Sequence, residues 1–184
     1  CIRDRFPNHP YGTQTVLGTQ EHLKNPSITN VRNYHKTYYV PNNMAVCVSG
    51  DFEPDEMVAT IEKYFGDMQP NPNLPELQFE PEKPITTPVV KEVYGLEAAN
   101  VMLGWRLPGA NDKSTDISDI VGSILYNGQA GLIDLDLNQQ QKVLSAYGYA
   151  STQPDYSSFL VAGRPKTGQS LDEVRDLLLE EVAK

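Results

Sequence analysis

The stretch from Thr37 to Gly66 constrains the fold more than any other part of the sequence. Pro41 lacks an amide proton and disfavours helical geometry in the residue before it, so a helix that reaches it should end there. Met44 to Ser49 is apolar at nearly every position, which is typical of a strand covered on both faces. Pro54 suits a first helical turn, and apolar residues then recur at helical spacing up to Gly66. The stretch therefore predicts a helix end, a buried strand and a second helix.

Composition excludes some classes of function. The chain has 184 residues and a formal net charge of -9, and it has no basic cluster that could displace counterions from phosphates, so we expect no nucleic-acid partner. The longest apolar runs are too short to cross a bilayer, so we expect no membrane span. Cys47 lies inside the apolar stretch and is interpreted as a packed thiol. Because the sequence opens on Cys1 and not on Met, we expect a fragment of a longer chain.

The first half of the chain contains two irregular segments. Residues 1–26 are interpreted as a mostly loop lead-in with a short turn at Thr19 to Leu23. A helix with Thr29 as its N-cap should follow and end just before Pro41. Six prolines make regular structure improbable between Met68 and Pro88, so residues 67–88 are predicted to be an extended connector inside one domain.

The second half alternates strands and helices. Val89 to Tyr94 and Asn100 to Leu107 are predicted to be adjacent strands, and residues 143–150 should pair with residues 159–163 in the same antiparallel way. A short helix that contains Leu132, Ile133, Leu135 and Leu137 and, on either side of it in the sequence, two amphipathic helices complete the pattern. One is marked by apolar residues at helical spacing, namely Ile117, Ile120, Val121, Ile124 and Leu125. The other begins with the capping box of Ser170 and Glu173.

This order of elements predicts an α+β fold. Paired strands with grouped helices favour a two-layer domain in which helices pack on one face of a largely antiparallel sheet. We therefore expect residues 1–184 to form a single α+β domain.

Several short motifs, in order, carry a family resemblance. They are His9-Pro10-Tyr11-Gly12, Val16-Leu17-Gly18-Thr19, a Tyr-Tyr-x-Pro-x-Asn-Met run at residues 38–44, Gly50-Asp51-Phe52 and Tyr64-Phe65-Gly66. Their order and spacing over nearly the whole chain resemble the pitrilysin/insulinase family of inverted-motif zinc peptidases, which includes the mitochondrial processing peptidases. The resemblance is to the C-terminal unit of one half of these proteins, which carries no zinc ligands.

The zinc motif of the family is absent from this chain. That motif is His-x-x-Glu-His on a helix, and it places two imidazoles and a water-activating glutamate on one face. Glu21 and His22 match the last two residues of the motif, but Gly18 occupies the position of its first histidine. His9 is interpreted as a loop hydrogen-bonder and His22 and His35 as solvated side chains. We therefore predict no catalytic residue and no metal ligand here, with zinc in the parent protein only.

Two glycines are candidates for contacting a peptide substrate in the parent protein. Residues 127–131, Asn-Gly-Gln-Ala-Gly, resemble the glycine-containing loop that precedes a short helix in the family. Gly128 and Gly131 would let backbone approach a ligand closely. A helix C-cap followed by a connector is the alternative interpretation.

Arg106 and Tyr147 are the other candidates. Arg106 is a charge among apolar neighbours that could face a substrate chamber, or its head could simply lie in water at a strand end. The non-catalytic half of active relatives has Leu-Arg and a later tyrosine that grip the peptide. Here the corresponding residues are Leu137-Asn138 and Tyr147, so the arginine is missing. This departure implies either the metal-bearing half or a parent that has lost activity.

The resemblance implies a non-catalytic supporting domain that walls the substrate chamber of a zinc metalloendopeptidase, and we predict that the chain alone is inactive. Its partners would be the zinc-bearing unit, the second half of the parent and a peptide substrate, and the resemblance favours the bacterial periplasm. A non-enzymatic scaffold of the same fold, like processing-peptidase-related core proteins of respiratory complexes, is the alternative. A free-standing module that binds peptides at a sheet edge is a third hypothesis.

Overall fold

The computed structural model describes residues 2–184, which cluster into two compact units. The N-terminal unit is Phe6–Lys83, and the sheet unit contains residues 2–5 and Pro84–Lys184. The division falls inside the proline-rich connector, and no helix or strand is formed between residues 67 and 88. The single domain inferred from the sequence stays a prediction.

The lead-in is more helical than expected. Three short helices lie within residues 2–26: α1 (Ile2–Arg5), α2 (Pro10–Thr13) and α3 (Gln20–Lys24). Two of them begin at side-chain caps, because His9 Nδ1 accepts a hydrogen bond from the Tyr11 amide and Thr19 Oγ1 accepts one from the His22 amide. Such caps satisfy amides that a short helix cannot pair internally.

Two longer helices follow in the N-terminal unit. Helix α4 spans Ile28–Tyr38, and its N-cap is Ser27, not Thr29, because Ser27 Oγ accepts the hydrogen bond of the Asn30 amide. A 3-10 turn at Pro41–Asn43 comes after it. Helix α5 spans Pro54–Phe65 with proline in its first turn, as predicted.

The buried strand expected at residues 44–49 is not formed. The backbone is extended at Met44 (φ -128°, ψ 148°), but no residue of this segment pairs with another strand among residues 2–184. Val46 is 50% exposed, and Cys47 is exposed where we expected a packed thiol. An apolar run supplies strand propensity, but a strand also needs a neighbour for its backbone hydrogen bonds.

The sheet unit contains one three-stranded antiparallel sheet. Its strands are β1 (Val101–Pro108), β2 (Ser145–Ser151) and β3 (Tyr156–Arg164), in the order β1-β3-β2. The predicted pairing of β2 with β3 is confirmed. The predicted pairing of β1 with residues 89–94 is wrong: β1 pairs with β3, Trp105 opposite Phe159, and residues 89–94 form no strand. Central β3 is almost wholly buried, and this burial favours pairing on both of its edges.

Helices cover one face of this sheet. They are α6 (Lys113–Leu125), a π-helical segment (Asp134–Gln139) and α7 (Leu171–Val182). The core lies between the layers and contains Leu125, Ile133, Leu137, Val143, Ala146, Phe159, Val161, Val174 and Leu178. The predicted α+β class, with helices on one face of an antiparallel sheet, is confirmed. No helix in the described part of the chain is long and apolar enough to span a bilayer.

Candidate functional site

The glycine-containing loop between α6 and the π-helical segment is organised by one carboxylate. Asp134 is 5% exposed, and its Oδ2 atom accepts hydrogen bonds from the backbone amides of Asn127 (3.0 Å), Gly128 (2.9 Å) and Gly131 (3.1 Å). A carboxylate that accepts several amide hydrogen bonds makes stronger bonds than a neutral acceptor would. Asp134 therefore ties both ends of the loop to the start of the helical segment.

The Asn127 side chain accepts the hydrogen bonds of the other two amides in the loop. Its Oδ1 atom accepts hydrogen bonds from the amides of Gln129 (3.0 Å) and Ala130 (2.9 Å), and its Nδ2 atom donates to the Ser123 carbonyl. All five backbone amides from residue 127 to residue 131 thus donate within the loop and its adjoining helix. The hydrogen-bonding capacity that the loop backbone can offer to a ligand therefore lies on its carbonyl oxygens, of which those of Gln129 and Gly131 already accept hydrogen bonds from Gln139 Nε2 and the Leu135 amide.

The two glycines predicted in this loop are required for different reasons. Gly128 has φ +80°, a left-handed conformation that disfavours other residues, and no atom lies within 4 Å of the position a Cβ would take. A Cβ at Gly131 would lie 2.6 Å from the Leu125 carbonyl oxygen. Gly128 therefore stands at an open position, and Gly131 allows the loop to pack closely on the end of α6.

Helix α6 packs on the sheet mostly with small residues and not with its isoleucines. Its buried residues are Thr115, Ser118, Gly122 and Leu125, and a Cβ on Gly122 would lie 3.6 Å from the Phe159 ring. Ile117, Ile120 and Ile124 are each more than half exposed. The helix predicted from its apolar spacing is confirmed, but most of that apolar stripe faces away from the sheet.

A groove lies between α6 and the glycine-containing loop. It has a volume of about 580 Å³, and its surface is largely apolar. Its lining residues are Asp119, Ile120, Ser123, Ile124, Asn127, Ala130 and Leu132. Neither of the exposed aspartates of α6, Asp116 and Asp119, forms an ion pair with any described residue. The groove, defined by these seven residues and called the α6 groove below, combines apolar walls with an unpaired carboxylate.

Tyr147 lies near the loop, whereas Arg106 does not. The ring centroid of Tyr147 is 6.4 Å from that of Tyr126, the residue immediately before the loop, and it stacks on Tyr149 at 6.2 Å. Arg106 is half-buried on β1, which β3 separates from β2. By strand alternation both side chains belong to the sheet face opposite the core. The structure thus brings together three of the four predicted residues, Gly128, Gly131 and Tyr147.

Sequence reasoning missed Asp134 and Asn127, although a local signal existed. Asp134 stands three residues after Gly131, where the helical segment begins, and a carboxylate at that position commonly bonds backward to the amide at the helix start. Asn127 begins an Asn-Gly turn in which its side chain mimics a backbone acceptor. Both residues could therefore have been predicted from the sequence as side chains that bond to nearby backbone amides.

The histidines do not fit a zinc site. His9 is buried, with its ring centroid 4.0 Å from that of Phe79, and its Nδ1 atom already accepts the Tyr11 amide. His22 is exposed on α3, and His35 is exposed and stacks on Tyr39. No group of three histidine, cysteine, aspartate or glutamate residues within residues 2–184 could hold a metal ion. That this chain binds no metal stays a prediction.

The comparisons with known proteins identify the family. Residues 27–184 match the family described as the Peptidase M16 inactive domain. The chain is 26% identical to zinc protease PqqE of Helicobacter pylori over 96% of its own length and 41% of that protein. It is 23% identical to the uncharacterized zinc protease YmxG of Bacillus subtilis, over 97% of this chain and 42% of that protein. The chain therefore spans less than half the length of these relatives.

Solved structures agree with this fold. A protease from Helicobacter pylori superimposes with a TM-score of 0.71 at 21% identity, over 94% of this chain and 43% of that one. A chain of Complex III2 from Candida albicans superimposes with a TM-score of 0.68 at 16% identity, over 93% and 42%. The chain belongs to the inactive-domain family of the M16 peptidases, the pitrilysin/insulinase type predicted from its motifs.

Proposed function

We propose that the chain is the non-catalytic supporting domain of a zinc-dependent peptidase. The observation that carries this proposal is the match of residues 27–184 to an M16 domain described as inactive. The two relatives that align with nearly the whole of this chain are named zinc proteases, and the alignments cover only 41–42% of their length. On this proposal a catalytic part lies elsewhere in the whole protein and supplies the zinc and its ligands.

The supporting domain would pack against the zinc-bearing unit and form part of the wall of a peptide chamber. Three predicted contacts support a position for the substrate near β2: Gly128 and Gly131 in the ordered loop, and Tyr147 beside it. Arg106, on the same sheet face as Tyr147, is proposed as a more distant contact. The loop could hold a peptide with its carbonyl oxygens, since its amides already donate internally.

A scaffold without peptidase activity is the second candidate. The likeness in fold to a chain of Complex III2 favours it, because that match covers as much of this chain as the protease match does. Asn138, where the non-catalytic half of active relatives would have an arginine, is compatible with a scaffold and equally with the metal-bearing half of a peptidase. In a scaffold the same surfaces would hold protein subunits together.

Zinc content and peptidase activity separate these proposals. We would compare the full-length protein with residues 1–184, each with and without a chelator, on an unstructured protein substrate. Zinc and chelator-sensitive cleavage in the full-length protein alone would support the supporting-domain proposal. A full-length protein with neither zinc nor cleavage would favour the scaffold. Stoichiometric zinc in residues 1–184 would contradict the prediction that this chain binds no metal.

A further inference from the structure

Asn127-Gly128 is the asparagine context in this chain that is most prone to deamidation. An asparagine deamidates when the backbone nitrogen of the next residue attacks its side-chain carbonyl carbon, and glycine permits this attack best because it has no Cβ to block the approach. No other asparagine in the sequence precedes a glycine. Asn127 is exposed and lines the α6 groove, so water reaches its side chain. The groups and the water that deamidation requires are therefore present at the start of the loop.

Three hydrogen bonds hold the Asn127 side chain in place. Its Oδ1 atom accepts from the amides of Gln129 (3.0 Å) and Ala130 (2.9 Å), and its Nδ2 atom donates to the Ser123 carbonyl (3.0 Å). Attack converts the planar side-chain amide into a tetrahedral centre, which displaces Oδ1 from its two donors. The departure of Nδ2 as ammonia breaks the third bond. The reaction therefore requires the loop to open first.

The attacking nitrogen is held as well. The Gly128 amide donates to Asp134 Oδ2 at 2.9 Å, and Asp134 is buried. This amide must lose its proton before it can attack. A neighbouring carboxylate opposes the formation of an amide anion, because like charges repel strongly where water is excluded. Asp134 thus restrains the nucleophile, while the other loop bonds restrain the carbon that it would attack.

We propose that Asn127-Gly128 is a modification site at which Asp134 and the loop hydrogen bonds hold back deamidation. When the loop opens, the Gly128 nitrogen loses its proton to hydroxide and bonds to Asn127 Cγ, the Cγ–Nδ2 bond breaks, and ammonia leaves. Water then opens the resulting succinimide at either carbonyl and gives aspartate or isoaspartate at residue 127. Water is the only co-reactant. The proposal holds for a peptidase or a scaffold alike, so its failure leaves the proposed function untouched.

Modification prevents the loop from closing again. Isoaspartate adds a methylene to the main chain between residues 127 and 128, so the following amides no longer meet Asp134 and the side chain of residue 127 in register. Either product also replaces Nδ2, which donates to the Ser123 carbonyl, with a carboxylate oxygen that can only accept. Deamidation therefore converts a loop with all its amides satisfied into an open loop that carries an additional negative charge.

Deamidation kinetics in the full-length protein test the protection. The protein and a synthetic peptide of residues 121–134 would be incubated at mildly alkaline pH, and mass spectrometry would follow conversion at residue 127, with electron-transfer fragmentation to separate aspartate from isoaspartate. We expect the protein to react at least about tenfold more slowly than the peptide, because an opening that breaks several hydrogen bonds is rarely populated. Equal rates in protein and peptide would overturn the proposal.

Matched variants assign the protection to the loop bonds. Asp134→Ala should raise the rate at residue 127 at least about fivefold in the full-length protein, whereas Asp116→Asn, on the exposed side of α6, should not change it. Gly131→Ala is a second test, because its Cβ would lie 2.6 Å from the Leu125 carbonyl oxygen and loosen the loop without altering the reacting residues. It should accelerate the reaction too.

Two further readouts decide the remaining steps. Conversion at the other asparagines in the same samples reports global unfolding, and an acceleration that they share equally would contradict a specific role of Asp134. Rates in Asp134→Ala and Gly131→Ala that both equal the wild-type rate would do the same. Protein converted at residue 127 would then be isolated by ion exchange. Its Gly131 amide should exchange hydrogen at least about tenfold faster than in unmodified protein, and unchanged exchange would contradict the release of the loop.

Discussion

The side-chain amide of Asn138 forms two hydrogen bonds with the backbone of Ala146. Asn138 Nδ2 donates to the Ala146 carbonyl and Asn138 Oδ1 accepts from the Ala146 amide, both at 2.8 Å. The Asn138 side chain thus satisfies both backbone groups of Ala146 on the outer edge of β2, the edge that does not pair with β3. Leu137, beside it, is fully buried in the core. In this chain the position has a structural role.

Asn138→Ala should destabilise the sheet unit by about 1–3 kcal/mol, because it leaves the amide and carbonyl of Ala146 without their partners. Asn138→Arg should also destabilise, since its guanidinium has donors but no acceptor for the Ala146 amide. Hydrogen exchange of the Ala146 amide would measure the loss. Gln140→Ala, at an exposed neighbouring position, is the control, and equal exchange in both variants would contradict the prediction.

Gly163→Ala should destabilise the same unit by about 1–3 kcal/mol through overpacking. A Cβ at Gly163 would lie 2.7 Å from Val174 Cγ1 and 3.3 Å from Leu178 Cδ1, both in the core. Thermal unfolding should show a lower midpoint than wild type. Gly95→Ala is the matched control because no atom lies within 4 Å of its added Cβ, and a similar midpoint for the two variants would rule out the steric explanation.

Asp134→Ala should release the loop at residues 127–131. Each amide that loses its acceptor costs about 1–3 kcal/mol if it stays unsatisfied, so the loop should open to water. The amides of Gly128 and Gly131 should then exchange at least about tenfold faster. Asp134→Asn should give an intermediate effect, because a neutral acceptor bonds more weakly than a carboxylate. Asp116→Asn is the control, and unchanged exchange in Asp134→Ala would refute the role of this carboxylate.

Stability should depend on pH through the start of α7. The backbone amide and the hydroxyl of Ser170 donate to the Glu173 carboxylate, and these hydrogen bonds lower the pKa of Glu173 below its usual value. A lowered folded-state pKa means that the stabilisation is present above the unfolded pKa and is lost as pH falls through the folded one.

Glu173→Gln should therefore lower the thermal midpoint near neutral pH and differ less from wild type in acid. Thermal unfolding at a series of pH values would show this convergence. Glu180→Gln, on the exposed side of the same helix, is the control. A difference between wild type and Glu173→Gln that stays constant down to strongly acidic pH would exclude the carboxylate as its source.

The sequence by itself determined the elements whose signals are local. The bounds of α5 follow from Pro54 and Gly66, and the start of α7 follows from the reciprocal bonds of Ser170 and Glu173. The pairing of β2 with β3 was also predictable, because the two strands are close neighbours in the chain with a short turn between them. In each case the interactions that fix the structure are local in the sequence, because they lie within one helix or between two strands joined by a short turn.

Only the tertiary structure decided which elements meet. Residues 44–49 and 89–94 have strand-like sequences, but a strand exists only where a partner supplies hydrogen bonds, and β3 took β1 as its partner instead. Spacing predicted helix α6, yet Gly122 lets its small face approach Phe159 and leaves the isoleucines outside. Periodicity shows that a helix has two faces, but which face is buried depends on the fit of distant residues.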